Sequence, residues 1–176
     1  MNKNIVTILV MICVSFCGLQ CVSTLHNVAA AETHEGYLDR LPLDLSNHIK
    51  RVPYAMCGMA CSDINTIYIT DVLLRTCGSY EEFLFAVVHE EAHIVLGHAF
   101  TMRAMKGNPD GFNEDAYYVA SRSQEYQADK MAAMYLKSQG FTTKACKLLR
   151  RLGSFPIETT HPSSEKRYAQ CVKVWE

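Results

Sequence analysis

Several features that would indicate other classes of protein are missing from this sequence. The formal net charge is −1, so neither a nucleic acid nor a polyacidic partner is indicated. There is no internal repeat and no low-complexity tract. After the first 31 residues, no stretch is long and apolar enough to cross a membrane. About half of the 176 residues (49%) are apolar, which is sufficient for the core of one domain.

The N-terminal segment has the layout of a secretory signal peptide. A weakly basic start at Lys3 precedes an apolar run over residues 5–17, and small residues follow at 28–31. We therefore expect residues 1–31 to be a signal peptide, cut after Ala30 or Ala31, and residues 32–176 to form one exported domain, periplasmic or secreted. The alternatives are an uncleaved membrane anchor and a lipidated cysteine. In each case, only this segment is expected to associate with a membrane.

Cysteine usage also fits an exported protein, because disulfides form in oxidising compartments. Three of the eight cysteines lie in the leader, and five remain. These five are Cys57, Cys61, Cys77, Cys146 and Cys171. Since five is odd, at most two disulfides form and one thiol is left over. We expect Cys146 to pair with Cys171, and Cys77 with Cys57 or Cys61. A copper(I) site in residues 56–61 is the competing interpretation, since thiolates and thioethers suit that ion.

The secondary-structure signals predict a mainly helical α+β domain with a small β-sheet or hairpin. Residues 64–70, β-branched and aromatic, form the best strand. Helices are predicted over 80–105, 114–139, 143–152 and 163–174. Ser79, Asn113 and Thr142 are the expected N-caps, and Ser79 forms a capping box with Glu82.

The run His89-Glu90-Glu91-Ala92-His93 reads as H-E-x-x-H within an apolar helix. Residues four apart share a helix face, so His89 and His93 can direct two imidazole nitrogens at one Zn²⁺. Glu90 lies one step round the helix and can reach a water beside such an ion. The alternative is a structural cluster, since these polar groups are costly to bury without partners. Leu96 and Ala99 stand where a metzincin has Gly and His, which rules out that class.

A catalytic zinc needs a third protein ligand. On one continuous helix, His98 would lie about 140° away from the second histidine. Glu114 lacks an aspartate four residues later, where Tyr118 stands. Glu125 has that aspartate at Asp129, on the same helix face. One of these carboxylates can bind the metal while the other holds an imidazole, or the two are an ordinary surface pair.

Three ordered motifs within residues 64–168 resemble one family of zinc peptidases. The segments HEEAHIVLGH, SRSQEYQADKMAAMYLKSQGF and THPSSEKR are similar to the family that holds the CAAX prenyl proteases, the HtpX-like proteases and small soluble periplasmic relatives. That family is gluzincin-like. The resemblance implies a zincin-like fold in which His89, His93 and Glu125 hold one Zn²⁺ per chain. It also implies that Glu90 is the general base.

The same resemblance gives roles to three further residues. Asp129 is expected to orient a ligand, His161 to stabilise the tetrahedral intermediate, and Arg167 to make a supporting contact. Two departures from the family are visible. Residues 57–61 replace its Gly-rich approach to the edge strand, and the chain lacks the several membrane spans of the integral members. Prenylated membrane substrates are therefore not expected.

The resulting expectation is a zinc metalloendopeptidase that acts on exported or misfolded proteins. Its substrate is an extended polypeptide bound along an edge strand at Ile67, Tyr68 and Ile69. One alternative is a catalytically silent zinc-binding chaperone or adaptor of the same fold. Another is a protease covered by its own segment, either residues 32–53 or residues 106–115.

Overall fold

Helices make up most of the part of the chain that the structure describes, and a small sheet lies beside them. The computed structural model describes residues 36–42, 45, 48–53, 58–107, 111–153 and 160–176. Its α-helices are α1 (Gly36–Asp39), α2 (Asp71–Thr76), α3 (Tyr80–Val95), α4 (His98–Lys106), α5 (Glu114–Ser138), α6 (Lys147–Arg151) and α7 (Ser164–Val172). Short 3-10 helices cover Thr143–Cys146 and Lys173–Trp175, and the strands are β1 (Ile49–Val52), β2 (Ala60–Ser62) and β3 (Ile67–Thr70). The predicted α+β class is confirmed.

The predicted leader, residues 1–31, lies outside the described residues, so the division into leader and domain stays a prediction. None of the helices in the described part of the chain combines the length and the apolar character that a membrane span requires.

The strand β3 lies in the centre of the sheet, between β1 and β2. It runs parallel to β1, with Ile67 opposite Ile49, and antiparallel to β2, with Ile67 opposite Ser62. The expectation that Ile67, Tyr68 and Ile69 form a free edge for a substrate is therefore wrong, because both edges of β3 are paired. A run of β-branched residues marks a strand but does not show which strands pair with it, here β2 four residues before it and β1 earlier in the chain.

Helix α3 carries the H-E-x-x-H sequence and starts at the predicted cap. Ser79 Oγ accepts a hydrogen bond from the Glu82 N–H at 3.3 Å. A capping box would have the Glu82 carboxylate accept a hydrogen bond from the Ser79 N–H. It accepts instead from the Gly78 N–H at 2.7 Å, and it pairs with Arg151 Nε at 2.9 Å. The helix packs against both α5 and β2. Helix α3 therefore places the H-E-x-x-H residues where the sheet and the helices meet.

The helix predicted over residues 80–105 is two helices. α3 ends at Val95 and α4 begins at His98. Gly97 stands between them at φ 67° and ψ 28°, a left-handed conformation that glycine adopts without a steric penalty. The assumption that His98 continues the turn of α3 is therefore wrong. The apolar residues run on through the junction, so the periodicity alone did not mark the break.

The other predicted caps are confirmed. Asn113 Oδ1 accepts from the Ala116 N–H at 2.9 Å and begins α5. Thr142 Oγ1 accepts from the Lys144 N–H at 3.3 Å, ahead of the 3-10 turn that leads into α6. α5 packs along α3, and α7 packs against both α5 and α6. This arrangement places the middle of α5 opposite the second half of α3.

One of the expected disulfides is confirmed and the other is wrong. Cys146 and Cys171 are bonded and link the segment before α6 to α7. Cys77 is a free, buried thiol, and burial raises its pKa to about 12. Cys61 is itself disulfide-bonded, which removes a thiolate that the copper(I) interpretation needs. Cysteine counting predicted a leftover thiol but could not identify it, because the fold decides which cysteines come close enough to bond.

Replacing Gly97 with Ala should lower the free energy of unfolding by about 1–2 kcal/mol, because a Cβ disfavours the left-handed conformation. Steric overlap adds little, since the nearest heavy atom to the new Cβ is 4.0 Å away on Phe100. Gly97→Asn should lose less, because Asn tolerates this conformation. Urea denaturation measures both variants. A Gly97→Ala protein as stable as the wild type would contradict the bend.

Candidate metal centre

Three side chains from α3 and α5 meet at one point. The Nε2 atoms of His89 and His93 lie 3.1 Å apart. Glu125, in the middle of α5, places Oε2 3.5 Å from the His89 nitrogen and Oε1 3.5 Å from the His93 nitrogen. These are the three ligands expected from the sequence, and among the described residues they form the one group of His, Cys, Asp or Glu side chains able to hold a metal ion.

The spacing of these atoms fits a tetrahedral zinc site. Ligands about 2.0–2.1 Å from a tetrahedral Zn²⁺ stand about 3.3 Å from one another. The two nitrogens are 3.1 Å apart, and each lies 3.5 Å from a different oxygen of Glu125. Glu125 Oε2 is also buried and accepts no well-aligned hydrogen bond from the described residues, although Arg167 Nη1 lies 3.1 Å from it. The Arg167 cation offsets part of the cost of burying this carboxylate, and the carboxylate oxygens keep further lone pairs that could bind a metal ion. The donor set of two imidazoles and one carboxylate is one that zinc accepts.

His89 is oriented by a buried ion pair behind it. Its Nδ1 lies 3.0 Å from Asp129 Oδ1. Asp129, one turn after Glu125 on α5, is in turn held by Arg167 of α7 through two hydrogen bonds, Nε to Oδ2 at 2.7 Å and Nη2 to Oδ1 at 2.8 Å. The structure thus brings Asp129 and Arg167 to the positions that the resemblance implied. A carboxylate behind a ligand imidazole fixes its ring and increases its basicity.

His93 has a different outer partner, which the sequence reasoning missed. His98 is 5% exposed, and its Nδ1 lies 2.9 Å from His93 Nδ1. The bend at Gly97 turns His98 back toward α3, so that it contacts the ring edge opposite the atom facing the centre. A glycine directly before a histidine, near the end of a helical pattern, is the signal that could have suggested this arrangement.

The protonation states follow from these contacts. Burial lowers the pKa of His89, but Asp129 and Glu125 outweigh it and raise the pKa to about 10. Burial and the neighbouring His89 lower the pKa of His93 to about 3. Burial raises the pKa of the Glu125 and Asp129 carboxyls, yet the charges and hydrogen bonds of His89 and Arg167 bring both pKa values below their ordinary range. Ionised carboxylates and a neutral His93 suit a cation, and the extra proton on His89 leaves when a metal binds.

Glu90 lies next to the centre without joining it. Its Oε2 accepts a hydrogen bond from Ser62 Oγ of β2 at 2.8 Å. Burial raises the pKa of the Glu90 carboxyl above its ordinary value, partly offset by the charge of His89 and the Ser62 bond. A raised pKa suits a carboxylate that takes up and returns a proton near neutral pH. Ser62 carries no sequence signal, since its partner lies 28 residues away.

His161 reaches the same centre from the loop before α7. Its Nε2 lies 3.5 Å from Glu125 Oε1, and its side chain is 56% exposed. Thr160 Oγ1 lies 2.9 Å from its other ring nitrogen. The centre opens into a cleft of about 1050 Å³, whose lining includes β2, Glu90, His98 and His161. His161 can therefore contact a molecule that enters this cleft.

Comparison with known proteins supports a metallopeptidase. Residues 114–174 match the model of peptidase family M48, about a third of the chain. The matched part contains Glu125, Asp129, His161 and Arg167, and begins after the two histidines of α3. Two members of the cluster, His89 and His93, lie outside the matched segment, and the third, Glu125, lies inside it. The match and the cluster together support a metallopeptidase, and the M48 peptidases are zinc enzymes. No curated protein and no solved structure matches the chain.

Replacing Glu125 with Ala should reduce bound zinc by at least 10-fold, because one of three ligands and the carboxylate that balances the cation are lost. Glu114→Ala is the matched control, since Glu114 is an exposed glutamate at the start of the same helix. Elemental analysis after dialysis against trace zinc gives the metal content of each protein. Equal zinc in both variants would contradict the proposed ligand set.

Proposed function

We propose that this protein is an exported zinc endopeptidase, in which His89, His93 and Glu125 hold one Zn²⁺. The observation that carries the proposal is the spacing of 3.1–3.5 Å between the ligand atoms, at the base of an open cleft. Zinc bound there would lower the pKa of a water and polarise the scissile carbonyl. A structural zinc site is closed by four protein ligands, whereas here three converge and the cleft remains beside them.

Glu90 is the proposed general base. It follows His89 directly in sequence, and its carboxylate lies on the side of the centre that faces β2, where it accepts a hydrogen bond from Ser62. In this role it accepts a proton from the attacking water and transfers it to the nitrogen of the leaving amine. Burial raises its pKa, which makes the protonated form accessible during turnover. A silent binding module of the same fold would have no use for this carboxylate.

His161 is the proposed stabiliser of the oxyanion that develops on the scissile carbonyl. Its imidazole borders both Glu125 and the cleft, where an N–H can donate to that oxygen. Arg167 and Asp129 act behind the centre: the guanidinium binds both carboxylates, and Asp129 fixes the ring of His89. These roles explain why α7 contributes to a site whose ligands belong to α3 and α5.

The substrate is an extended polypeptide, and β2 is the strand along which it would bind. β2 pairs with β3 through one edge, and its residues line the cleft next to Glu90. An added strand on the other edge would place a peptide bond over the centre, with main-chain hydrogen bonds supplying affinity for varied sequences. This assignment replaces the one to β3.

The Cys146–Cys171 disulfide supports an exported location, because such bonds persist in oxidising compartments. Together with the signal-like leader, it favours a periplasmic or secreted enzyme whose substrates are exported or misfolded proteins. The resemblance to the HtpX-like proteases and their small soluble relatives supports the same substrate class.

Glu90→Gln should reduce peptide hydrolysis by roughly 100- to 10 000-fold, because the amide cannot accept the proton. Zinc should stay near one per chain, since Glu90 is not a ligand. Glu91→Gln is the matched control, as the same change one residue further round the helix. A fluorescent peptide library, assayed with and without chelator, measures the loss. Hydrolysis retained by Glu90→Gln would exclude this role. A zinc-loaded wild type without any turnover would favour the silent binding module.

A further inference from the structure

The hydroxyl of Ser62 donates a hydrogen bond to Glu90. Ser62 is the last residue of β2, and its Oγ lies 2.8 Å from Glu90 Oε2, in a partly buried position. The contact joins the sheet to α3, at the residue proposed to act as the base. It lies outside the segment that matches the M48 family model.

The backbone on both sides holds Ser62 in place. Before it, β2 pairs with β3, and Ser62 stands opposite the fully buried Ile67. After it, Asp63 closes a tight turn: its carboxylate accepts hydrogen bonds from the N–H groups of Asn65 and Thr66 and from the Tyr68 hydroxyl. A side chain on a rigid element between two such restraints directs its hydroxyl to a fixed point.

We propose that Ser62 is a positioning residue for Glu90. The inference rests on the proposed peptidase function. A carboxylate held through Oε2 keeps a fixed plane, with Oε1 left to accept the proton of the attacking water. Proton transfer depends strongly on this alignment, since the base must lie within hydrogen-bond reach of the proton.

The same strand also carries the proposed peptide-binding edge. One strand would therefore position both reactants: β2 pairs with the polypeptide substrate along the edge opposite β3, and its Ser62 holds the carboxylate of Glu90. This geometry predicts that Ser62 affects the rate of the chemical step and has little effect on substrate affinity, because its hydroxyl is directed toward Glu90.

The test compares Ser62→Ala, Ser62→Thr and the control Ser138→Ala, all as full-length, zinc-loaded protein. Ser138 donates its hydroxyl to the Tyr135 carbonyl at the far end of α5, so its removal makes the same chemical change away from the cleft. Ser62→Ala should lower kcat by roughly 10- to 100-fold, as expected for losing a hydrogen bond to a charged group, with KM, zinc content and Tm unchanged. Ser62→Thr, which keeps a hydroxyl and suits a strand, should restore most of the rate.

A second readout does not depend on turnover. With ¹³C-labelled glutamate, the carboxyl signal of Glu90 is identified in the metal-free protein by its loss in Glu90→Gln. At constant pH this signal should move in Ser62→Ala, and should stay near its wild-type position in Ser62→Thr and Ser138→Ala.

An unchanged kcat in Ser62→Ala, beside an active wild type, would overturn the positioning role and leave the proposed function intact. A lower Tm together with a raised KM would show that Ser62 serves only the structure of β2, and would also overturn it. A carboxyl signal that does not move would show that the hydrogen bond is not made. If wild type and variants all fail to hydrolyse any peptide, the proposed function fails first and the inference with it.

Discussion

The structure depends on a cluster of charged and polar groups buried where α3, α5 and α7 meet. His89, Glu125, Asp129 and Arg167 are each less than 10% exposed. Burying such groups costs several kcal/mol each unless they are paired. Arg167 compensates Asp129 with two hydrogen bonds and contacts Glu125, and Asp129 holds His89. The three helices therefore pack so that these groups meet one another as well as burying the apolar core. The proposed metal ion would balance the remaining negative charge of the cluster.

The two histidines are supported in different ways. A carboxylate backs His89, whereas a second imidazole, that of His98, backs His93. The first arrangement increases the basicity of the ring, which makes it a stronger ligand, and the second fixes the orientation of the ring with little charge. The bend at Gly97 is the backbone feature that makes the second arrangement possible. The left-handed conformation of Gly97 thus affects the metal centre, because it places the side chain of His98 against His93.

The features that could be predicted from the sequence are those that local rules determine. Two histidines four residues apart, a carboxylate pair at the same spacing on α5, and the caps at Asn113 and Thr142 each follow from helical geometry within a few residues. That Glu125 lies beside the two histidines could be predicted only from the resemblance to a zinc peptidase family, in which the same motifs occur in the same order. The central position of β3, the free thiol at Cys77 and the contact of Ser62 with Glu90 depend on pairing between distant segments, which periodicity does not encode. His98 was misplaced because the helix was assumed to be continuous through Gly97.

The central claim is that His89, His93 and Glu125 hold one divalent ion and leave an open corner toward the cleft. X-ray absorption spectroscopy at the zinc edge, on protein purified without chelator, tests it most directly. The account predicts about one zinc per chain, with nitrogen and oxygen ligands at about 2.0–2.1 Å and no sulfur. Protein that is isolated without metal and cannot be loaded, or a spectrum dominated by sulfur at about 2.3 Å, would contradict it.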